Sequence, residues 1–240
     1  MAEFLSNSLY SDANCKAYYR VESGALTTDS KSSYTLTNTG TVAEIASGKF
    51  GYAADFGSGN TSKYLQLNGN NMGITSGSIT MMCWIKTNYA DISSGQWSLL
   101  HHTDAGSKVH YDIGYQYNGG TRRVIFDRSK RTVADDFVAY NIALDTSLWY
   151  HLAVVYNGTT LYGYFNGANI GNTASSGTGS GTYSVTGMFI GSEVNNGDTV
   201  VDFYSGFMDD IVIFDRALSD AEILSIYQDQ LSHGYYHMSV

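Results

Sequence analysis

The sequence predicts an all-β sandwich of two antiparallel sheets, completed near the C-terminus by one short helix. Three observations predict it. Twenty Tyr and ten Phe against five Glu and seven Lys form a composition that suits strands rather than helices. Twenty-six Gly supply the positive φ angles that hairpins need. Short segments of alternating character recur along the chain, punctuated by Asn-Gly turns.

Each element follows in order. A strand over 15–21 places Cys15, Ala17, Tyr19 and Val21 on one face, and a polar loop and hairpin fill 22–47. Strands near 50–57, 63–68 and 78–87 come next, then a loop over 88–96 and a strand around 97–102. His110–Tyr117 turns at Asn118-Gly119-Gly120 into Arg123–Asp127. The strands at 149–156 and 160–166 share the turn Asn157-Gly158. Residues 171–182, GNTASSGTGSGT, read as a mobile polar loop before strands near 183–190 and 200–214. In the last of these, Phe207, Asp209, Ile211 and Ile213 alternate with Met208, Asp210, Val212 and Phe214. Ser219-Asp220-Ala221-Glu222 then opens the helix as a capping box, with Leu218 and Ile223 spaced as a hydrophobic staple.

Several of these segments resemble, in order, the laminin-G-like, concanavalin A-like jelly-roll family. Phe203–Tyr227, FYSGFMDDIVIFDRALSDAEILSIY, is similar to its closing strand and helix. Gly48–Phe56, Ser78–Lys86, Trp149–Gly158, Leu161–Gly167 and Phe189–Gly191 match its other strands. The resemblance implies a concanavalin A-like jelly roll. It implies a binding function less specifically, because one fold hosts many sites.

The absence of Pro argues against proline-rich linkers, and no repeat or boundary interrupts the chain. One domain over 14–230 is expected, between a leader at 1–13 and a tail at 231–240 able to pack on the domain or dock to a partner. The formal charge of −9 disfavours nucleic acid and anionic membrane surfaces, and no apolar run is long enough to span a bilayer. The first residues lack the pattern of a secretion signal. A virion protein of a phage, made in the cytoplasm and used outside, fits that pattern, so a virion surface or extracellular location is expected. Cys15 and Cys83 read as small core residues with free thiols, although a bridge between neighbouring strands stays open.

Catalysis finds little support. Adjacent acids such as Asp209-Asp210 and Asp135-Asp136 point to opposite faces, and no Glu has a second acid at glycosidase spacing along its own strand. No nucleophile elbow occurs. His101, His102 and His110 with Asp104 form a histidine cluster, but consecutive His on a strand face opposite ways. One buried, hydrogen-bonded His and one exposed are expected there. His151, in the family's W-x-H pattern, reads as a structural hydrogen-bonding residue.

Three binding chemistries remain. Sugar rings stack on aromatic faces while their hydroxyls seek amides and carboxylates. Tyr162, Tyr164 and Asn166 alternate on one strand face, Trp84 lies on the equivalent face of its own strand, and Tyr115 and Tyr117 lead into an edge loop. These six are the expected glycan or polysaccharide contacts. A structural calcium ion is the second, with Asp209 as the family's carboxylate and Asp198, Asp202 and Glu193 as nearby acids; the alternative for Asp209 is a hub for backbone N–H groups. Third, Arg122, Arg123, Arg128, Lys130 and Arg131 concentrate positive charge in ten positions, either as a solvated hairpin flank or as a site for an anionic polysaccharide or acidic partner. A coat or tail subunit is the competing partner class, and a polysaccharide hydrolase ranks below both.

Overall fold

The computed structural model describes residues 11–74, 77–87, 92, 94–106, 109–130, 134–177 and 182–234. Four short strands come first: β1 (Cys15–Tyr19), β2 (Thr37–Thr39), β3 (Ala43–Ile45) and β4 (Ala53–Asp55). β5 (Tyr64–Asn68), β6 (Ile79–Thr87), β7 (Gly95–Thr103), β8 (Val109–Asn118) and β9 (Thr121–Lys130) follow. Then come β10 (Asp136–Asn141), β11 (Tyr150–Tyr156), β12 (Thr160–Phe165) and β13 (Ala168–Ala174). β14 (Gly187–Ile190), β15 (Glu193–Val194), β16 (Val200–Val201), β17 (Gly206–Phe214) and α1 (Asp220–Gly234) complete the chain.

The strands form two large antiparallel sheets. The first runs β13-β12-β11-β6-β17-β4-β3, with β1 also paired to β17; the second runs β10-β9-β8-β7-β14-β5-β2. β15 and β16 make a small separate hairpin. Between the sheets lies one continuous core, to which β6 gives Ile79, Met81, Cys83 and Ile85 and β8 gives Tyr111, Ile113 and Tyr115. Close packing sets a glycine at Gly163 of β12. A Cβ there would lie 2.5 Å from the Phe126 ring of the opposite sheet.

A second apolar layer lies outside the first sheet. Met82, Ala153, Val155, Tyr164, Val212 and Phe214 point away from the inter-sheet core and are covered by Leu218, Ile223 and Ile226. This explains why β6 is apolar on both faces instead of alternating. The capping box forms as expected: Ser219 N–H donates to Glu222 at 2.8 Å, and Glu222 N–H donates to the Ser219 hydroxyl at 3.3 Å. The staple pair, Leu218 and Ile223, is buried in that layer. The helix is longer than the single turn or two expected and carries the chain to Gly234; residues 235–240 of the tail lie outside the described residues, as does most of the leader.

Two bulges change which way side chains point. Between Cys15 and Ala17 the β1–β17 register shifts, so Cys15 joins the helix-covered layer while Ala17 and Tyr19 stay in the core. Cys15 and Cys83 therefore occupy different layers, both buried and free. Burial pushes the Cys15 thiol up to about 12. In β17 the pairing with β6 slips between Asp209 and Val212, and Asp210 adopts a φ of 46°. Met208 shares the core with Ile211 and Ile213, which corrects the simple alternation read from sequence.

Other differences are local. β9 extends to Lys130 and β10 was not read from the sequence. The loop expected at 171–182 is strand through Ala174, and the Ser175 and Ser176 hydroxyls bond Arg128 and Asp136; residues 178–181 lie outside the described residues.

Candidate carbohydrate site

Most of the aromatic surface expected to meet a sugar is closed. Trp84 is 1% exposed. Its indole N–H donates to Gln230 of α1 at 2.7 Å, and Tyr227 stacks on it at 5.6 Å. Phe50 meets it edge-on, and the Lys49 ammonium sits 4.4 Å from its ring. Tyr115 faces the inter-sheet core, where its hydroxyl accepts the Leu144 N–H. Tyr117 packs partly against the core with the Arg122 guanidinium over its ring. Asn166 has a φ of 50° and its side-chain oxygen accepts the His151 N–H, so it serves the turn. Trp84, Tyr115 and Asn166 are thus corrected as sugar contacts. Alternation assigns a side chain to a face; it does not say what covers that face.

Tyr162 and Tyr164 meet a different fate. With Asn157, Leu218, Ser219 and Asp220 they line a cleft of about 490 Å³ between the β11–β12 hairpin and the start of α1. The Tyr164 ring is buried, but its hydroxyl donates to Asp220 at 2.6 Å, and the Asn169 amide reaches the same carboxylate oxygen at 3.3 Å. Tyr162 is only partly covered and presents its ring at the cleft. Glu222, at the far wall, is gripped by Arg216, whose hydrogen bond holds its carboxyl below the ordinary range. A carboxylate held ionised this way accepts hydrogen bonds from hydroxyls and does not act as a proton donor at neutral pH. An aromatic ring beside an acceptor-rich rim suits the apolar face and hydroxyl edge of a sugar. Sequence reading missed Asn157, Ser219 and Asp220 because the Asn-Gly turn and the capping box already explained them structurally.

The expected metal and basic sites dissolve. Both Asp209 carboxylate oxygens are engaged, accepting the Phe50 N–H at 2.9 Å and the Asp210 N–H at 2.8 Å. Asp209 is the backbone hub, and burial followed by the neighbouring Asp210 charge pushes its carboxyl well up. Asp210 in turn accepts the Tyr18 hydroxyl and the Gln230 amide. Asp198 accepts the Ser184 N–H from a separate loop, so Asp198, Asp202 and Asp209 do not converge on one ion. Of the basic run, Arg128 and Lys130 are buried and share Asp136 at 2.7 and 2.8 Å, while Arg123 is tied to Gln116. Arg128 and Lys130 therefore form internal pairs, whereas Arg122 and Arg123 stay half-exposed on the hairpin flank; Arg131 lies outside the described residues. Burial opposes ionisation of Asp136, but bonds from Lys130, Ser176 and Arg128 hold its carboxyl down at about 2.

The histidines also depart from expectation. His101 and His102 are both buried, and His102 lies 3.3 Å from the Asn71 carbonyl. His151 is buried with neither ring nitrogen bonded, packed on Trp84, and burial lowers it to about 3. Asp112 and Glu193, which stand on different strands, bring their carboxyls together beside His101. Their partnership crosses elements, and spacing along one strand could not show it.

Residues 58–224 match the family model described as the concanavalin A-like lectin/glucanases superfamily. The chain belongs to this superfamily. Its solved neighbours share the fold at low identity. The botulinum neurotoxin serotype C1 binding domain aligns at 16% identity with a TM-score of 0.66, covering 90% of this chain and 52% of that one. The binding domain of botulinum neurotoxin DC in complex with SialylT aligns at 16% identity with a TM-score of 0.63, covering 91% and 52%. Domain 4 of AbnA, a GH43 extracellular arabinanase from Geobacillus stearothermophilus in complex with arabinotriose, aligns at 17% identity with a TM-score of 0.64, covering 90% and 98%. This superfamily member spans about half the length of the neurotoxin domains it matches. No curated protein sequence matches it. Among the described residues no helix is long and apolar enough to cross a membrane.

Proposed function

We propose that this domain is a non-catalytic carbohydrate-binding module that attaches its carrier to glycan-bearing surfaces. The observation that carries the reading is the cleft at the N-terminus of α1, where the partly open Tyr162 ring stands beside Asn157, Ser219 and Asp220. Membership of a lectin and glucanase superfamily supports it, as do neighbours whose descriptions include SialylT and arabinotriose. The burial of Asp112, 1% exposed, supports the non-catalytic reading of this pair of acids. A glycan array, with arabinotriose and ganglioside oligosaccharides included, tests the proposal. Tyr162→Ala is expected to weaken the best binder by at least about tenfold while the fold is kept. Binding that survives Tyr162→Ala unchanged, or no binding to any glycan, contradicts it.

A second reading has one observation behind it. On β10, at the edge of the second sheet, Phe137 is 50% exposed with the Arg123 guanidinium beside its ring, a point at which a coat or tail subunit of a particle could dock. Phe137→Asp that abolishes co-purification with such a subunit, with glycan binding intact, would favour it.

A further inference from the structure

The outer side of the second sheet holds a polar cluster that neither the fold nor the cleft uses. Asp112 on β8 pairs in register with His101 on β7, which places both side chains on one face. Glu193 arrives from a third element. After β14 the chain turns at Gly191, where a Cβ would lie 2.3 Å from the Phe56 ring and φ is 83°, and β15 then lays Glu193 over the other two. One ring nitrogen of His101, one Asp112 oxygen and one Glu193 oxygen all lie within 4.8 Å of one another. Among the described residues no other group of three metal-ligating side chains converges in this way.

The cluster is under-satisfied. His101 is fully buried with neither ring nitrogen hydrogen-bonded, and Asp112, almost fully buried, has an oxygen with no partner. Its other oxygen accepts the Ser98 hydroxyl and stands 3.7 Å from His101 Nδ1. Native proteins rarely leave buried polar atoms unpaired, so each such atom calls for an explanation. Burial pushes the Asp112 carboxyl upward against its bond from Ser98, with Asp202 adding to the rise; burial, then the charges of Asp112 and Asp202, push Glu193 upward. Asp127, paired with Asp112 on the neighbouring strand, is half-buried near the same acids.

We propose that His101, Asp112 and Glu193 form a binding site for a borderline divalent cation of the zinc or manganese class. A cation replaces protons as the counter-charge, takes the free Asp112 oxygen and gives His101 a partner. An imidazole with two carboxylates suits zinc or manganese, whereas calcium prefers six to eight oxygens. Burial admits an ion and excludes a sugar, so the site is structural: it ties the β15–β16 hairpin to the second sheet.

The test uses the purified chain, stripped with chelator and melted with and without added Zn²⁺, Mn²⁺ or Ca²⁺. At about one hundred times the dissociation constant, zinc or manganese should raise the melting midpoint by about 5–10 °C. Calcium at the same concentration should raise it far less. Glu193→Gln and Asp112→Asn should lose the metal-dependent rise while the stripped variants melt close to the stripped parent, since each exchanges a carboxyl that burial holds protonated for a neutral amide of the same shape. A rise of equal size in Glu193→Gln would overturn the proposal by placing the metal elsewhere. No rise with zinc or manganese would overturn it outright, as would a rise with calcium alone. Should either variant fail to fold, metal content of the unstripped parent decides: about one zinc or manganese per chain supports the site, and none refutes it.

Discussion

The two sheets differ in how far their outer faces satisfy buried polar groups. Outside the first, the polar groups are tied off except for His151, which packs on Trp84 with both ring nitrogens unpaired: the Trp84 N–H reaches Gln230, Gln230 and Tyr18 reach Asp210, and Asp209 takes two backbone N–H groups. Outside the second, His101, His110 and Asp112 keep unpaired atoms although all three are buried. Apart from His151, the first arrangement is finished by the chain itself, through α1 and its neighbours. The second is short of a counter-charge. Buried polar groups that are fully paired hold a structure together, whereas those left short point to something the chain must receive.

The largest effect should come from the closed face. Trp84→Ala is expected to destabilise by about 5 kcal/mol in denaturant melts, since it removes a buried indole and strands Gln230 and Tyr227. A folded Trp84→Ala protein that has merely lost glycan binding would break the comparison by reopening that face. Next comes Asp136, which satisfies two buried cations. Asp136→Asn should cost about 3–4 kcal/mol. Its carboxyl is held below its ordinary value, so its stabilisation is present above about pH 4 and is lost as pH falls through about 2. An acid melt of parent and variant should converge in that window. Gln230→Leu, which leaves the Trp84 N–H without its partner, should cost about 1–3 kcal/mol by the same measurement. Tyr162→Ala, at the partly open cleft, should change stability by no more than about 0.5 kcal/mol. A larger loss would move Tyr162 from the site into the core.

Much of the fold was legible because local chemistry and burial agree. The Asn157-Gly158 and Asn118-Gly119-Gly120 turns, the capping box at Ser219 and the staple of Leu218 and Ile223 all form as their residues require. What was not legible depends on registers and on coverage. A bulge moves Cys15 to the outer layer, another at Asp209–Asp210 exchanges the faces of β17, and the length of α1 decides that Trp84 is shut in. The cluster of His101, Asp112 and Glu193 gathers side chains 11 and 81 positions apart, by sheet pairing and a glycine turn that no single-strand pattern records. Of the sugar contacts, Tyr162 and Tyr164 reach the cleft, while its polar rim comes from a turn and a helix cap.

The central claim is that ligand enters beside the first turn of α1 and leaves the Trp84 face closed. Amide and indole chemical shifts recorded while the strongest array glycan is titrated in test this most directly. The account predicts that the shifts move at Asn157, Tyr162, Ser219 and Asp220 while the Trp84 indole N–H stays fixed and protected from exchange. Movement of that indole signal, with loss of protection along α1, would contradict it.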